Sequence, residues 1–249
     1  SGERVTVRQG TATADDFRFL RLRWECAEDT HPGWMPFAKG GEYNPFHDDI
    51  HLFLNWQAGG QELIAWGKGR PQNIVWFGRP GLTYPRRTTK PFAPRLLPAG
   101  CAFGDKGPAI FVQPAADSPT KEVEDAARRF ALLGLLNARC FYHLLSLGIG
   151  MSEGAGDTAA NAYEVGLLQR MPLPPAALDD AALAAAAQTA WAARREADEH
   201  DETAAAFVLP FLRPAALGAM VEARRQRAQA AADRYDAALA VLEARALVH

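Results

Sequence analysis

Gly81–Gly107, GLTYPRRTTKPFAPRLLPAGCAFGDKG, decides how this chain reads. Pro and Gly stand at turn positions between two short apolar runs, Leu96-Leu97 and Cys101-Ala102-Phe103, a pattern of short strands and tight connections. The same stretch carries a knot of cations and hydroxyls: Arg86, Arg87, Thr88, Thr89, Lys90 and Arg95. A β-rich scaffold displaying a basic, hydroxyl-bearing loop has the chemistry of a polyanion reader.

Charge outside this stretch sharpens the point. The 249-residue chain has a formal net charge of −2, which argues against non-specific nucleic-acid binding by the molecule as a whole. From Trp66 to Gly107, however, there are eight cations and one acid, a net of +7. The remainder then holds 19 cations and 28 acids, a net of −9. Local field, not total charge, governs the docking of a phosphate backbone.

The length fits one large domain or two small ones, with ample chain for a buried core. Three cysteines without a CxxC spacing read as reduced thiols, and the expected compartment is cytoplasmic. No apolar run approaches the roughly 18 residues of a membrane span, and no signal peptide is visible. The chain opens on Ser1-Gly2-Glu3, which reads as a processed product or a piece of a longer protein.

The expected fold class is α+β. Arg4–Arg8 and Ile50–Trp56 read as strands, Gln61–Ala65 as a possible strand, and Asn73–Phe77 as a strand ending at Gly78. Asp15–Glu25 suits a half-buried strand or a short helix; His31–Trp34 and Lys39–Pro45 are turns. Cys101–Phe103 and Ala109–Val112 close a β-rich module expected over residues 1–117. At Ser118-Pro119-Thr120 a helix start follows, and apolar residues at spacings of three and four carry one helix to about Leu147. Gly150–Ala162 reads as a loop, Tyr163–Met171 as short and mixed, and Pro172–Pro175 as a stiff linker. Two alanine-rich helices, Leu178 to about Ala205 and Pro214 to near the end, separated by Phe207–Pro210, complete a helical region over 118–249. Their small-residue faces suit a close antiparallel pair.

The order of short motifs adds a resemblance. Phe17–Arg21, Lys39-Gly40-Gly41-Glu42, Asn55-Trp56, Gly81–Thr88, Leu97–Cys101, Gly107–Phe111, Leu132–Asn137, Tyr163–Gly166, Met171–Pro174, Asp201-Glu202-Thr203 and Phe207–Pro210 follow one another over most of the chain. In that order they resemble the C-terminal half of PglX-like adenine-specific DNA methyltransferases of BREX-type phage defence, relatives of type IIG restriction-modification enzymes. The helical pattern also resembles type I specificity subunits. The resemblance implies a target-recognition region for double-stranded DNA. It also implies a separate N-terminal methyltransferase domain that binds S-adenosylmethionine. This chain departs from the catalytic part of that pattern. It has no Asn-Pro-Pro-Tyr or Asp-Pro-Pro-Tyr, Asn44-Pro45-Phe46 lacks the second Pro, and Gly67-Lys68-Gly69 leads into Arg70-Pro71, not a helix. Catalytic residues and a cofactor are therefore expected elsewhere.

The expected DNA contacts are Thr83, Tyr84, Arg86, Arg87, Thr88, Thr89, Lys90 and Arg95 of the loop, with Lys39, Lys68, Arg70 and Lys106 beside glycine turns. Arginine can bridge O6 and N7 of guanine or clamp a phosphate, and hydroxyls reach phosphate oxygens. A solvated hairpin tip is the plainer alternative for the loop. His47, Asp49 and His51 would share a face if they lay in a strand, but the set is thin for a metal and none is assigned. Ser146 and Ser152 lie outside any GxSxG turn. An interaction module that docks other defence-system proteins through the long helices is the second functional expectation.

Overall fold

The computed structural model describes residues 4–26, 32–113, 121–150, 160–198 and 217–249. In chain order its elements are β1 (Val5–Arg8), α1 (Asp16–Phe19), β2 (Leu20–Leu22), β3 (Trp34–Ala38), β4 (Leu52–Asn55), α2 (Gln61–Trp66), β5 (Gly81–Thr83), β6 (Arg87–Thr88), β7 (Arg95–Leu97), β8 (Ala102–Phe103), β9 (Ala109–Val112), α3 (Lys121–Asn137), α4 (Arg139–Gly150), β10 (Asn161–Ala162), α5 (Val165–Arg170), α6 (Ala181–Asp198) and α7 (Leu217–Ala246). This is an α+β architecture.

Alternation sets the first sheet. Val5 and Val7 of β1 point inward and Thr6 and Arg8 are half-exposed, as a period of two requires. The strands lie in the order β1-β9-β5-β7, all antiparallel. β9 has no polar face because both of its sides are covered. Ile110 joins the helical core, while Ala109 and Phe111 join a cluster with Leu97, Cys101 and Phe103. The second sheet runs β2-β4-β3-β8, with only β3 and β8 parallel. Phe19, Leu20, Phe37, Leu54 and Leu63 fill its own core.

Two expected strands are absent. Gln61–Ala65 is helical: Gly60 and Gly67 take left-handed φ of 77° and 72° at its two ends, and the single turn so enclosed buries Leu63. Asn73–Phe77 is a 3-10 turn over Ile74–Trp76, entered by Asn73 at φ 51°. Its apolar residues do not form a face: Trp76 packs on Phe111 at 4.8 Å, whereas Val75 is exposed.

The single helix expected to reach Leu147 is two helices bent by 62°. Asn137 folds back to donate to the carbonyls of Leu133 and Pro94, and Ala138 is buried at the corner. The Glu243 carboxylate of α7 then accepts from the Arg139 N–H at 2.9 Å, so the second helix is capped by a distant residue. The apolar spacing continues through the bend, which is why the sequence reads as one helix. The start at Ser118–Thr120, most of the 150–162 loop, and the break at Phe207–Pro210 lie outside the described residues.

α6 and α7 run antiparallel, joined by Arg245–Asp180 at one end and Arg234–Glu196 toward the other. Ala184, Ala187 and Ala190 of α6 and Ala238 and Ala246 of α7 are buried, so the backbones approach closely. Gly134 of α3 faces both: a Cβ there would come within 2.5 Å of Leu242. One apolar cluster takes in Val5, Leu82 and Ile110 from the sheet together with Leu132, Leu136, Leu183 and Leu242 from the helices. The β-rich and helical regions thus share a core across residues 117 and 118. Among the described residues no single helix is long and apolar enough to cross a membrane. The bent α3–α4 pair comes nearest, and its apolar stretch Ala131–Leu136 is buried in the core.

Candidate nucleic-acid interface

The basic loop leaves the first sheet at Thr83 and returns at Arg95, and its tip is held by a segment 75 residues further on. β6 pairs antiparallel with β10, Thr88 facing Asn161 and Arg87 facing Ala162. The Tyr163 N–H donates to the Arg86 carbonyl at 2.8 Å, and the Tyr163 hydroxyl donates to the Lys90 carbonyl at 3.1 Å. The Arg86 guanidinium grips Glu164 through Nε and Nη2, at 3.0 Å to each carboxylate oxygen in turn. Those hydrogen bonds raise the pKa of Arg86 against a smaller opposing effect of burial. Arg87, Thr89 and Lys90 are exposed, and Thr88 is half-buried, its hydroxyl accepting from the Lys90 N–H.

Backbone contacts bring sequence-distant cations to the same neighbourhood. The Arg86 N–H donates to the Lys106 carbonyl at 3.0 Å. Gly107 packs against the Lys39–Gly40 backbone so tightly that a Cβ would lie 2.4 Å from the Gly40 nitrogen, which explains a glycine on each side. The Asp105 N–H donates to the Thr11 carbonyl, and the next residue, Ala12, pairs with Arg70. Lys39, Lys106, Arg70 and the Arg86–Lys90 tip are therefore linked through a short series of backbone neighbours. Acids accompany them. Lys39 pairs with Asp16, whose pKa burial alone would raise but which the bonds from Lys39 and Thr13 hold below its usual value. Asp105 lies near Arg86.

Three expected contacts are interior and are withdrawn from the interface. Tyr84 is 0% exposed, its ring 5.1 Å from Phe92, and burial pushes its phenol far above its ordinary pKa. The Thr83 hydroxyl donates to the Gly107 carbonyl inside the sheet. Arg95 is 2% exposed and ties together the Gly40 and Glu42 carbonyls and the Asp48 carboxylate at 2.8 Å. Burial outweighs attraction in this pair, lowering the pKa of Arg95 and raising that of Asp48. Arg86 and Lys39 remain near the surface but are engaged by acids. Lys68, over the Trp66 ring at 5.4 Å, and Arg70 are exposed, one on each side of Gly69.

Sequence reasoning missed the partners, not the loop. Glu164, Tyr163 and Asn161 fall within 161–164, and the motif series quotes Tyr163–Gly166 without a role. A lone Glu 78 positions from its Arg gives no local signal. The shared face proposed for His47, Asp49 and His51 needed a strand. That stretch is irregular, and β4 begins only at Leu52. Among the described residues no three His, Cys, Asp or Glu side chains are grouped to hold a metal ion. The pair Gly67 and Gly69 follows α2 instead of opening a helix, so these residues do not fit the phosphate- or cofactor-cradling turn of a methyl-donor site. No family model matches the chain, and no curated protein matches it.

Proposed function

We propose that this chain is a target-recognition module that binds double-stranded DNA for an adenine-specific N6 methyltransferase of a restriction or phage-defence system. The observation that carries the reading is the basic tip. Arg87, Thr89 and Lys90 stand exposed on a two-stranded platform that Tyr163 and Glu164 pin from behind, with Lys106 alongside. Pinning matters because an arginine on a fixed backbone loses less freedom when it forms two parallel hydrogen bonds to a base edge or phosphate. In this reading Arg87 reads or clamps, while Lys90, Lys106 and Arg70 set register on phosphates. Arg86 is a positioning residue. The methyl donor and the flipped adenine belong to a catalytic domain formed by other residues, since a base must leave the stack before its amino group can react.

The test is duplex binding by fluorescence anisotropy in low salt, with Arg87→Ala beside wild type. A loss of about 1–3 kcal/mol on the cognate duplex is expected if Arg87 is bidentate to a base. Wild-type affinity in Arg87→Ala and in a Lys90→Ala double variant removes the loop from any DNA site. A docking platform for other defence-system proteins through the long helices is the reading then left, and it draws on Val241 of α7, 45% exposed.

A further inference from the structure

Between the β-rich region and the helices lies a cleft of about 680 Å³ that the DNA reading does not use. Its volume falls in the range typical of small-molecule sites. One wall is Phe53 and the Leu96–Ala99 segment; the other is Phe130 of α3 and Trp191 of α6. The Trp191 indole meets Phe130 edge-on at 5.9 Å and the His47 ring at 6.2 Å, giving an aromatic wall with rings in two orientations.

Arginines from three elements reach the same cleft: Arg23, Arg129 and Arg195. Its two acids do not balance them. Asp48 is neutralised by Arg95 at 2.8 Å, which leaves Asp49 against three guanidinium groups, a net of +2. Arg195 lies over the Trp191 ring at 5.5 Å, which fixes the charge beside the aromatic surface. Arg129 is half-buried and makes no hydrogen bond among the described residues; burial pushes its pKa down and only the charge of Asp125 opposes this. None of its nitrogens is both shut from water and unpartnered, so the guanidinium still presents donors that an anion with several oxygens can reach.

We propose that the cleft binds a mononucleotide, with the base against Trp191, Phe130 and His47 and the phosphate on Arg129 and Arg195. A dianionic phosphate suits convergent arginines better than a lone carboxylate does, and the aromatic wall is sequence-tolerant because every base presents a π-face. Free nucleotide and a nucleotide within a single strand offer the same chemistry.

Isothermal titration of the protein with AMP, adenosine and inorganic phosphate tests this. AMP is expected to bind at least about tenfold more tightly than either half alone. Arg195→Ala, an exposed position, is expected to weaken AMP about tenfold and leave adenosine unchanged, whereas Trp191→Leu weakens both. Arg129→Ala should repeat the Arg195→Ala result, with its melting curve recorded to separate lost binding from lost folding. Equal affinity for phosphate and AMP, or wild-type AMP affinity in Arg195→Ala, overturns the proposal. A short single-stranded oligonucleotide that displaces AMP assigns the cleft to a strand; failure to displace assigns it to the free nucleotide. The titration contains no duplex, so its failure leaves the loop reading standing, and failure of the duplex experiment leaves this one standing.

Discussion

Arg95 and Arg87 look alike in the sequence, both in a basic stretch punctuated by proline. One is an interior strut and the other a solvent-facing cation. The difference lies in contacts 47 and more positions away: Asp48 and the Gly40 and Glu42 carbonyls claim Arg95. No local pattern announces such partners, so the sequence locates the basic stretch but not which of its cations face out. Removing one partner of a buried, hydrogen-bonded ion pair leaves the other desolvated. Arg95→Ala is therefore expected to destabilise the fold by roughly 3–5 kcal/mol in denaturant melts. Arg87→Ala, with no such partner to strand, is expected to stay within about 0.5 kcal/mol of wild type. Equal stabilities for the two variants would refute the assignment of Arg95 to the interior.

At the scale of elements, strands that alternate were legible and turns that mimic them were not. β1, β4 and β9 follow the period of two or a continuous apolar run. α2 and the Ile74–Trp76 turn are apolar for other reasons, each placing one large side chain in a pocket while its neighbours face solvent. The long helices were legible but the break and cap between α3 and α4 were not, because the groups that satisfy them come from elsewhere. Asp180 also draws partners from elsewhere. It accepts from the Ala182 and Leu183 N–H groups at the start of α6, at 2.9 and 3.0 Å, and receives Arg245 from the last turn of α7 and His249 from the residues that follow it. Burial alone would raise its pKa, but the bonds from Arg245, His249 and the Leu183 N–H prevail and hold it well below the ordinary value of 3.8. A depressed folded-state pKa stabilises above the unfolded value and is lost as pH falls through it. Wild type is thus expected to exceed Asp180→Asn in melting temperature at neutral pH, with the gap closing as pH drops below about 4. Asp180→Ala, which also removes the cap, is expected to cost about 0.5–2 kcal/mol for the cap alone. A gap that is the same at pH 3 and pH 7 would show that the carboxylate charge contributes nothing.

For the whole molecule, sheet and helices share a core, and that placement decides what the charge island can do. The net of +7 between Trp66 and Gly107 is partly neutralised by the protein's own acids, Arg95 by Asp48 in the interior and Arg86 by Glu164 near the surface, each acid lying outside that segment. Six exposed cations of the segment remain for a polyanion, Lys68, Arg70, Arg79, Arg87, Lys90 and Lys106, and four of them, Arg70, Arg87, Lys90 and Lys106, are gathered from three loops by backbone contacts among Ala12, Thr11, Asp105 and Arg86. Sequence alone gave the sign and the neighbourhood of this surface and overstated its strength, because it could not see the carboxylates folded onto it. The number of phosphates engaged is directly measurable, since each releases counterions. The most direct test is the salt dependence of duplex DNA binding: Lys90, Lys106 and Arg70 on phosphates predict a slope of log K against log salt of about −2.7, or about −3.6 with Arg87 on a phosphate as well, its magnitude falling by about 0.9 or about 1.8 respectively in the Arg87→Ala/Lys90→Ala double variant. A slope near zero, or one the double variant leaves unchanged, would contradict the account.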